Sequence, residues 1–149
     1  MGAAASIALP NGADEGTLKA VEAGLTALIN AAARPHDRRP LTLSARRPGE
    51  ADPAGGLVGR TCFGWLLVSL FYLPPDLRGQ GLGKEPLSRT EDEARARGCV
   101  GVRLDAFGFQ ARGFYEKRGR AAFGALPDRP PGHARLFMAK RLDAAPPAA

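Results

Sequence analysis

The chain has 149 residues, of which 44% are hydrophobic and 24% charged, enough apolar material for one compact domain with its own core and too much for a disordered chain. Its net charge of +6 comes from 21 basic residues, all but four of them arginine, against 15 acidic ones. That excess suits an anionic ligand or a nucleic acid and identifies neither.

The opening "MGAAAS" fits the M-G-x-x-x-[ST] pattern of N-myristoylation, but so short a match in an Ala- and Gly-rich chain reads as chance, and residues 1–5 read as a flexible end. After an apolar lead at residues 7–9, Leu18, Val21, Leu25, Leu28, Ile29 and Ala32 recur at steps of three and four, the face of a helix that Pro35 ends. Residues 40–47 and 55–61 predict two short strands around the turn-forming "PGEADPAG". Residues 65–73, "WLLVSLFYL", form the longest apolar run; it is about half of a membrane span, so it reads as a strand buried on both faces at the centre of a sheet. Residues 82–97 predict a helix with Leu87, Thr90 and Ala94 inward and Arg89, Glu91, Glu93, Arg95 and Arg97 mostly solvated, with Pro86 tolerated in its first turn and Gly98 ending it. Alternation over residues 101–107 gives the next strand, and strand, helix, strand at this spacing implies a parallel pair. A second short helix at residues 110–119 and two final strands around "PDRPPG" follow, before a disordered tail from residue 143. Cys62 and Cys99 match no metal-ligand spacing and are too few for a disulfide framework, so they read as core thiols of a reduced, cytoplasmic protein without a metal. No internal repeat appears, and residues 1–149 read as a single domain, ordered over about residues 6–142.

The exit of the apolar strand, "LPPDLRGQGLGK", crowds three glycines between an arginine and a lysine at the start of a helix. Successive backbone N–H groups leading into a helix N-terminus make an anion site, and glycines let it close on a bulky phosphate. A Walker loop would need Ser or Thr where Glu85 stands, and a dinucleotide fingerprint would need glycine at Lys84 or Pro86. The spacing that fits is R-x-x-G-x-G at Arg78, Gly81 and Gly83, joined at the right separation by A-x-x-F-Y-x-x-x-G at Ala111, Phe114, Tyr115 and Gly119. Together these resemble the GNAT superfamily of acetyl-CoA-dependent N-acetyltransferases, and the order of elements matches that family over essentially the whole chain.

The resemblance implies an α/β (α+β) fold with a central mixed sheet flanked by helices, in which the apolar strand and its parallel partner splay apart. It implies that acetyl-CoA enters the gap, its pantetheine arm pairing with the backbone of Phe71, Tyr72 and Leu73. The pyrophosphate would rest on the loop of Arg78, Gly79, Gln80, Gly81, Leu82, Gly83 and Lys84, with Gly108, Gln110, Ala111 and Phe114 completing the cofactor site. A main-chain N–H near residues 70–72 would polarise the thioester carbonyl, and Tyr115 would protonate the departing thiolate. Packing beside Phe114 is the other reading of Tyr115. Asp105 is the carboxylate candidate for taking a proton from the amine, with an ion pair to a neighbouring arginine as its equal alternative. His36 and His133 are candidates by chemistry alone. Three positions depart from the family: Arg103 where an acid is common, Gly108 where an asparagine often holds the pantetheine arm, and Arg120 where an apolar residue usually follows the glycine.

The expected partners are acetyl-CoA and a small primary amine carrying an anionic or neutral group, because the segments facing the acceptor side lack the acidic lining a polycation needs. A second subunit completing that wall, as a homodimer, is left open, as is a peptide acceptor. The alternative from another class is a non-catalytic acyl-CoA-binding domain. Nucleic acid is not expected, since the arginines are spread over every element and no aromatic platform accompanies them; neither is a membrane.

Overall fold

The computed structural model describes residues 2–35, 37–79, 84–109 and 112–143. Its backbone forms two compact units, residues 1–36 and 37–149. The first holds one helix, α1 (Glu15–Ala32), capped by the Asp14 side chain accepting from the Thr17 N–H, which satisfies one of the donors a helix start leaves open. The apolar stripe runs along this helix as its periodicity predicts, and none of its residues is buried. The lead at residues 7–9 forms no strand. Among the described residues no helix is long and apolar enough to cross a membrane.

The second unit is a six-stranded sheet, β1 (Arg39–Ala45), β2 (Gly55–Cys62), β3 (Trp65–Tyr72), β4 (Gly101–Phe107), β5 (Ala121–Pro127) and β6 (Ala134–Arg141), in the order β1-β2-β3-β4-β6-β5. Two helices belong to it, α2 (Lys84–Ala96) and α3 (Arg112–Glu116). All neighbouring strands are antiparallel except β3 and β4, the parallel pair that α2 connects. This is the mixed sheet with a central parallel pair that the sequence predicts.

The apolar run behaves differently from the expectation. Leu66 and Val68 are buried, Ser69 and Leu70 are exposed, Phe71 packs against the core and Tyr72 is exposed. Val58 faces Leu70 across the β2–β3 ladder while Gly59 faces Val68, so Ser69 is the extra residue of a β-bulge. A bulge shifts the alternation by one position, so the inward series reads Leu66, Val68, Phe71. The unbroken apolar stretch is therefore two alternating patterns joined out of phase, and only its first half has a partly covered second face.

Pairing between β3 and β4 runs from Trp65 opposite Gly101 to Val68 opposite Leu104 and stops at the bulge. Beyond it β3 stays paired to β2, and β4 to β6. The two inner edges, residues 69–72 and 105–107, thus diverge with their facing backbone groups outside any ladder. This is the splay.

Helix α2 packs near β1, β2 and β4 through Leu87, Thr90 and Ala94, as its period predicts. Two of its charged residues are less solvated than expected. Glu91 is buried, because it lies four residues after Leu87 and three before Ala94, on the same face. Arg97 reaches back to the sheet, where its Nη1 donates to the carbonyls of Arg39 and Pro40 and to the Thr61 hydroxyl. Cys99 is buried and Cys62 half-buried, both as free thiols.

The core is centred on Leu57, Leu66, Leu87, Val102 and Met138, each at most 1% exposed. Removing most of the Leu66 side chain leaves a cavity at the parallel pair. Leu66→Ala is expected to cost about 2–5 kcal/mol, read as a lower denaturant midpoint at unchanged slope; a loss below about 1 kcal/mol would mean that the site collapses around the smaller residue.

Candidate active site

The gap between β3 and β4 opens on a cavity of about 370 Å³ lined by Phe71, Tyr72, Leu73, Arg78, Phe109, Phe114 and Tyr115. The bulge supplies the Phe71 wall, and α3 supplies the opposite one: Phe71 and Phe114 stack at 6.2 Å, and Phe114 meets Tyr115 edge-on at 5.3 Å. Of the predicted site residues, Phe71, Tyr72, Leu73, Arg78, Phe114 and Tyr115 therefore come together around one cavity. Gln80, Gly81, Leu82 and Gly83 of the glycine loop, and Gln110 and Ala111, lie outside the described residues, as does His36.

The loop's described ends are informative. Gly79 has φ 84°, a left-handed conformation that favours glycine. Arg78 turns back onto the strand: its Nε donates to the Leu73 carbonyl at 2.6 Å, and its guanidinium carbon lies 5.6 Å from the Tyr72 ring centre. The Leu73 carbonyl is thus already engaged. Lys84, the first residue of α2, stands beside a second cleft with Phe114, Lys117 and Arg118. The Arg118 guanidinium carbon lies 3.6 Å from the Phe114 ring centre, and its Nη1 donates to the Phe114 carbonyl. Lys117 and Arg118 were not singled out by motif, although two adjacent basic residues ending the helix that carries Tyr115 are a signal for anion binding.

Tyr115 is 9% exposed. Burial pushes its phenol above the ordinary range, and the positive charge of Arg120 opposes that rise, the two effects acting through desolvation and a nearby cation. Arg120 is itself 2% exposed and lies against Glu91, a pairing that neither helix periodicity nor the motif brought out.

Asp105 sits on the splayed part of β4, where Arg135 holds it: Nε to Oδ2 is 2.6 Å, and the same guanidinium covers the Phe107 ring at 4.4 Å. Of the two readings of Asp105, the ion pair is the one its geometry supplies. Arg103 points away from the core on the same strand. The Gly108 N–H donates to the Ala134 carbonyl at 2.7 Å. His133 meets the Phe109 ring edge-on at 4.9 Å, and Phe109 stacks on Phe107, so this histidine stands near one wall of the cavity. Asp37 accepts from the Phe63 N–H at 2.7 Å and so supports a left-handed turn residue, Phe63, at φ 50°.

A parallel strand pair split by a bulge thus has an aromatic-walled cavity at the split and a basic cleft beside it. Comparison with known proteins assigns the class. The model of the Acetyltransferase (GNAT) family matches residues 15–119. An acetyltransferase of Agrobacterium fabrum is 35% identical over 130 residues, 87% of this chain and 94% of that protein. The blasticidin-S acetyltransferase of Streptomyces morookaense is 38% identical over 109 residues, 71% of this chain and 80% of that one. A crystal structure of an Agrobacterium tumefaciens protein, assigned as an acetyltransferase, superposes with a TM-score of 0.84 at 34% identity, covering 92% of this chain and 99% of that one. The chain belongs to the GNAT family of acetyltransferases, whose donor is acetyl-CoA.

The raised phenol has a direct signature. The chain has two tyrosines, so in a Tyr72→Phe background the near-ultraviolet phenolate signal reports Tyr115 alone, and its midpoint is expected above about 10. Because the folded state then holds this proton more tightly than the unfolded chain, the stability it contributes is complete below about pH 10 and is lost as pH rises through the folded midpoint. A midpoint at or below the ordinary value would show that Arg120 outweighs burial.

Proposed function

We propose that this protein transfers an acetyl group from acetyl-CoA directly to the primary amine of a small molecule. The observation that carries the reading is the splayed pair: β3 and β4 part after Val68 and Leu104, and the freed end of β3 lines a cavity of about 370 Å³. The residues present fit the donor. The diverging edge at Phe71 and Tyr72 offers backbone partners to an amide-bearing arm, while Lys84, Lys117 and Arg118 offer three cations to its phosphates. The loop from Arg78 to Lys84 would add backbone N–H groups there. When bound, acetyl-CoA supplies a thioester, an acetyl group activated toward an amine.

The chain's own part is to orient, shield and move protons. A backbone N–H of residues 70–72, freed from the ladder by the bulge, donates to the carbonyl oxygen as it gains charge. Phe71, Phe109 and Phe114 keep water from the reacting centre. Tyr115, lining the same cavity, gives its proton to the departing thiol sulfur. Asp105, held by Arg135 on the splayed part of β4, takes the proton of the amine directly or through water.

For the acceptor, the described residues of the cavity wall are mostly aromatic and include one cation, Arg78, and no carboxylate. Such a wall favours an amine with a flat or apolar body and a neutral or anionic group over a polycation. The 38% identity to an enzyme named for blasticidin S supports a small-molecule acceptor over a protein one.

Two measurements test this. Release of free thiol from acetyl-CoA is followed against a panel of amino acids, polyamines, aminoglycosides and peptide N-termini. Turnover is expected with a small, non-polycationic amine, and a large preference for an aminoglycoside, polyamine or peptide would overturn the acceptor reading. No thiol release with any amine, together with calorimetric binding of acetyl-CoA, would favour the non-catalytic alternative. Separately, Tyr115→Phe is expected to lower kcat by about 10²-fold or more with little change in donor affinity, whereas equal kinetics would reduce Tyr115 to a packing residue. Gly81→Val is expected to abolish donor binding in a folded protein, since a side chain there would occupy the phosphate position.

A further inference from the structure

Behind Tyr115 lies a buried ionic cluster that acetyl transfer, as derived above, does not use. Helix α3 ends in a tight turn in which the N–H groups of Arg118 and Arg120 both donate to the Tyr115 carbonyl, each at 3.1 Å, with Gly119 at φ 83° between them. The Arg120 side chain then runs into the core and is one of the largest that are fully buried. Its Nη2 lies 2.9 Å from Glu91 Oε1, and the other oxygen of Glu91, itself 6% exposed, accepts from Lys140 Nζ at 3.0 Å. Arg95 approaches the same carboxylate at 3.9 Å.

Stability alone does not account for this arrangement. Removing a guanidinium and a carboxylate from water costs several kcal/mol per ion, and an apolar side chain of similar volume often serves as well or better. The cluster also fails to neutralise itself: Glu91 is one negative charge against Arg120 and Lys140. The other charges near this turn come from Arg118 within it, from Arg95 on α2 and from Arg78 at the end of β3, while Glu116 turns outward to Arg112. The balance around this turn is therefore positive, and its buried part lies where little solvent intervenes to screen it.

We propose that Arg120 is a positioning residue for Tyr115: held by Glu91 and tied through its own N–H to the Tyr115 carbonyl, it fixes the turn that carries the ring lining the cavity and places a buried guanidinium in the same turn. This rests on the reading of Tyr115 as proton donor. In that step the O–H bond of Tyr115 breaks, an S–H bond forms on the departing thiolate, and the negative charge left on the phenolate is the one that Arg120 stabilises.

The test combines titration with kinetics. In the Tyr72→Phe background the phenolate midpoint is compared among the parent, Arg120→Lys, Arg120→Met and the double variant Glu91→Gln/Arg120→Met, which removes both buried charges so that no carboxylate loses its main partner. Arg120→Met is expected to raise the midpoint by about one pH unit and the double variant, which also loses the Glu91 charge, by less, with Arg120→Lys near the parent. With Tyr72 intact, the Met variants should lower kcat by about tenfold, leave KM for acetyl-CoA within about twofold, and move the alkaline limb of the kcat profile upward with the midpoint. A purely structural Arg120 would lower the melting temperature and leave midpoint and limb in place, which would overturn the proposal. A Tyr115→Phe variant at full rate would sink the proton-donor reading separately, because the titration senses the charge of Arg120 whether or not the phenol takes part in turnover.

Discussion

A single extra residue, Ser69, organises this sheet. Without the bulge, β3 would continue along β4 and the ladder between them would close, leaving no backbone free and no cavity. With it, the strand twists away after Val68, and the inward series passes to Phe71, which stacks on Phe114 from α3. The bulge thus does two things at once: it withdraws hydrogen-bonding groups from the sheet and brings an aromatic side chain to the wall opposite Tyr115. β2 accommodates this through Gly59, where an added Cβ would run into the Leu67 carbonyl. The site follows from a local count of residues, two on one strand against one on its neighbour.

The arginine excess finds its explanation in ties within the fold. Arg97 anchors the end of α2 to the β1–β2 ladder, Arg78 closes the end of β3, Arg135 clasps Asp105 on β4, Arg118 covers Phe114, and Arg120 meets Glu91. A planar fork with several donors suits such multi-point contacts where a lysine would make one. Among the described residues these arginines are thus spread over separate elements of the sheet unit. The basic cleft at Lys84, Lys117 and Arg118 is the local exception, and it lies beside the cavity.

Much of this was legible in the sequence. The helical periods of α1 and α2, the hairpin of β1 and β2, and the alternation of β4 are local patterns; α2 and β4 bury the face their spacing defines, whereas the stripe of α1 stays uncovered among the described residues. The two motifs around Arg78 and Tyr115 located the cavity, since each marks an element end that faces the split. The bulge was hidden because an apolar residue stands at almost every position of residues 65–73, so a change of phase leaves no mark; Ser69 interrupts the run, but only the partner strand reveals it as the residue left over. Glu91 was readable in principle, lying between Leu87 and Ala94 on the helix face, yet its charge argued for the outside until its partners, 29 and 49 positions further along, were seen beside it. Arg135 and Asp105 needed the same long-range knowledge: their contact depends on the register of β4 against β6.

The Glu91–Arg120 pair also constrains how this protein can change over generations. Glu91 replaced alone leaves the buried Arg120 without its counterpart, whereas Arg120 replaced alone leaves Glu91 to Lys140; breaking a buried pair typically costs about 3–5 kcal/mol, a large share of the stability of a domain this size. Replacing both together with apolar residues is close to neutral for the fold. Drift between the charged and the apolar solution therefore passes through a valley that single substitutions cross only with help from stabilising changes elsewhere. Descendants of this chain should inherit the two positions as a linked unit, whatever happens to the rest of α2.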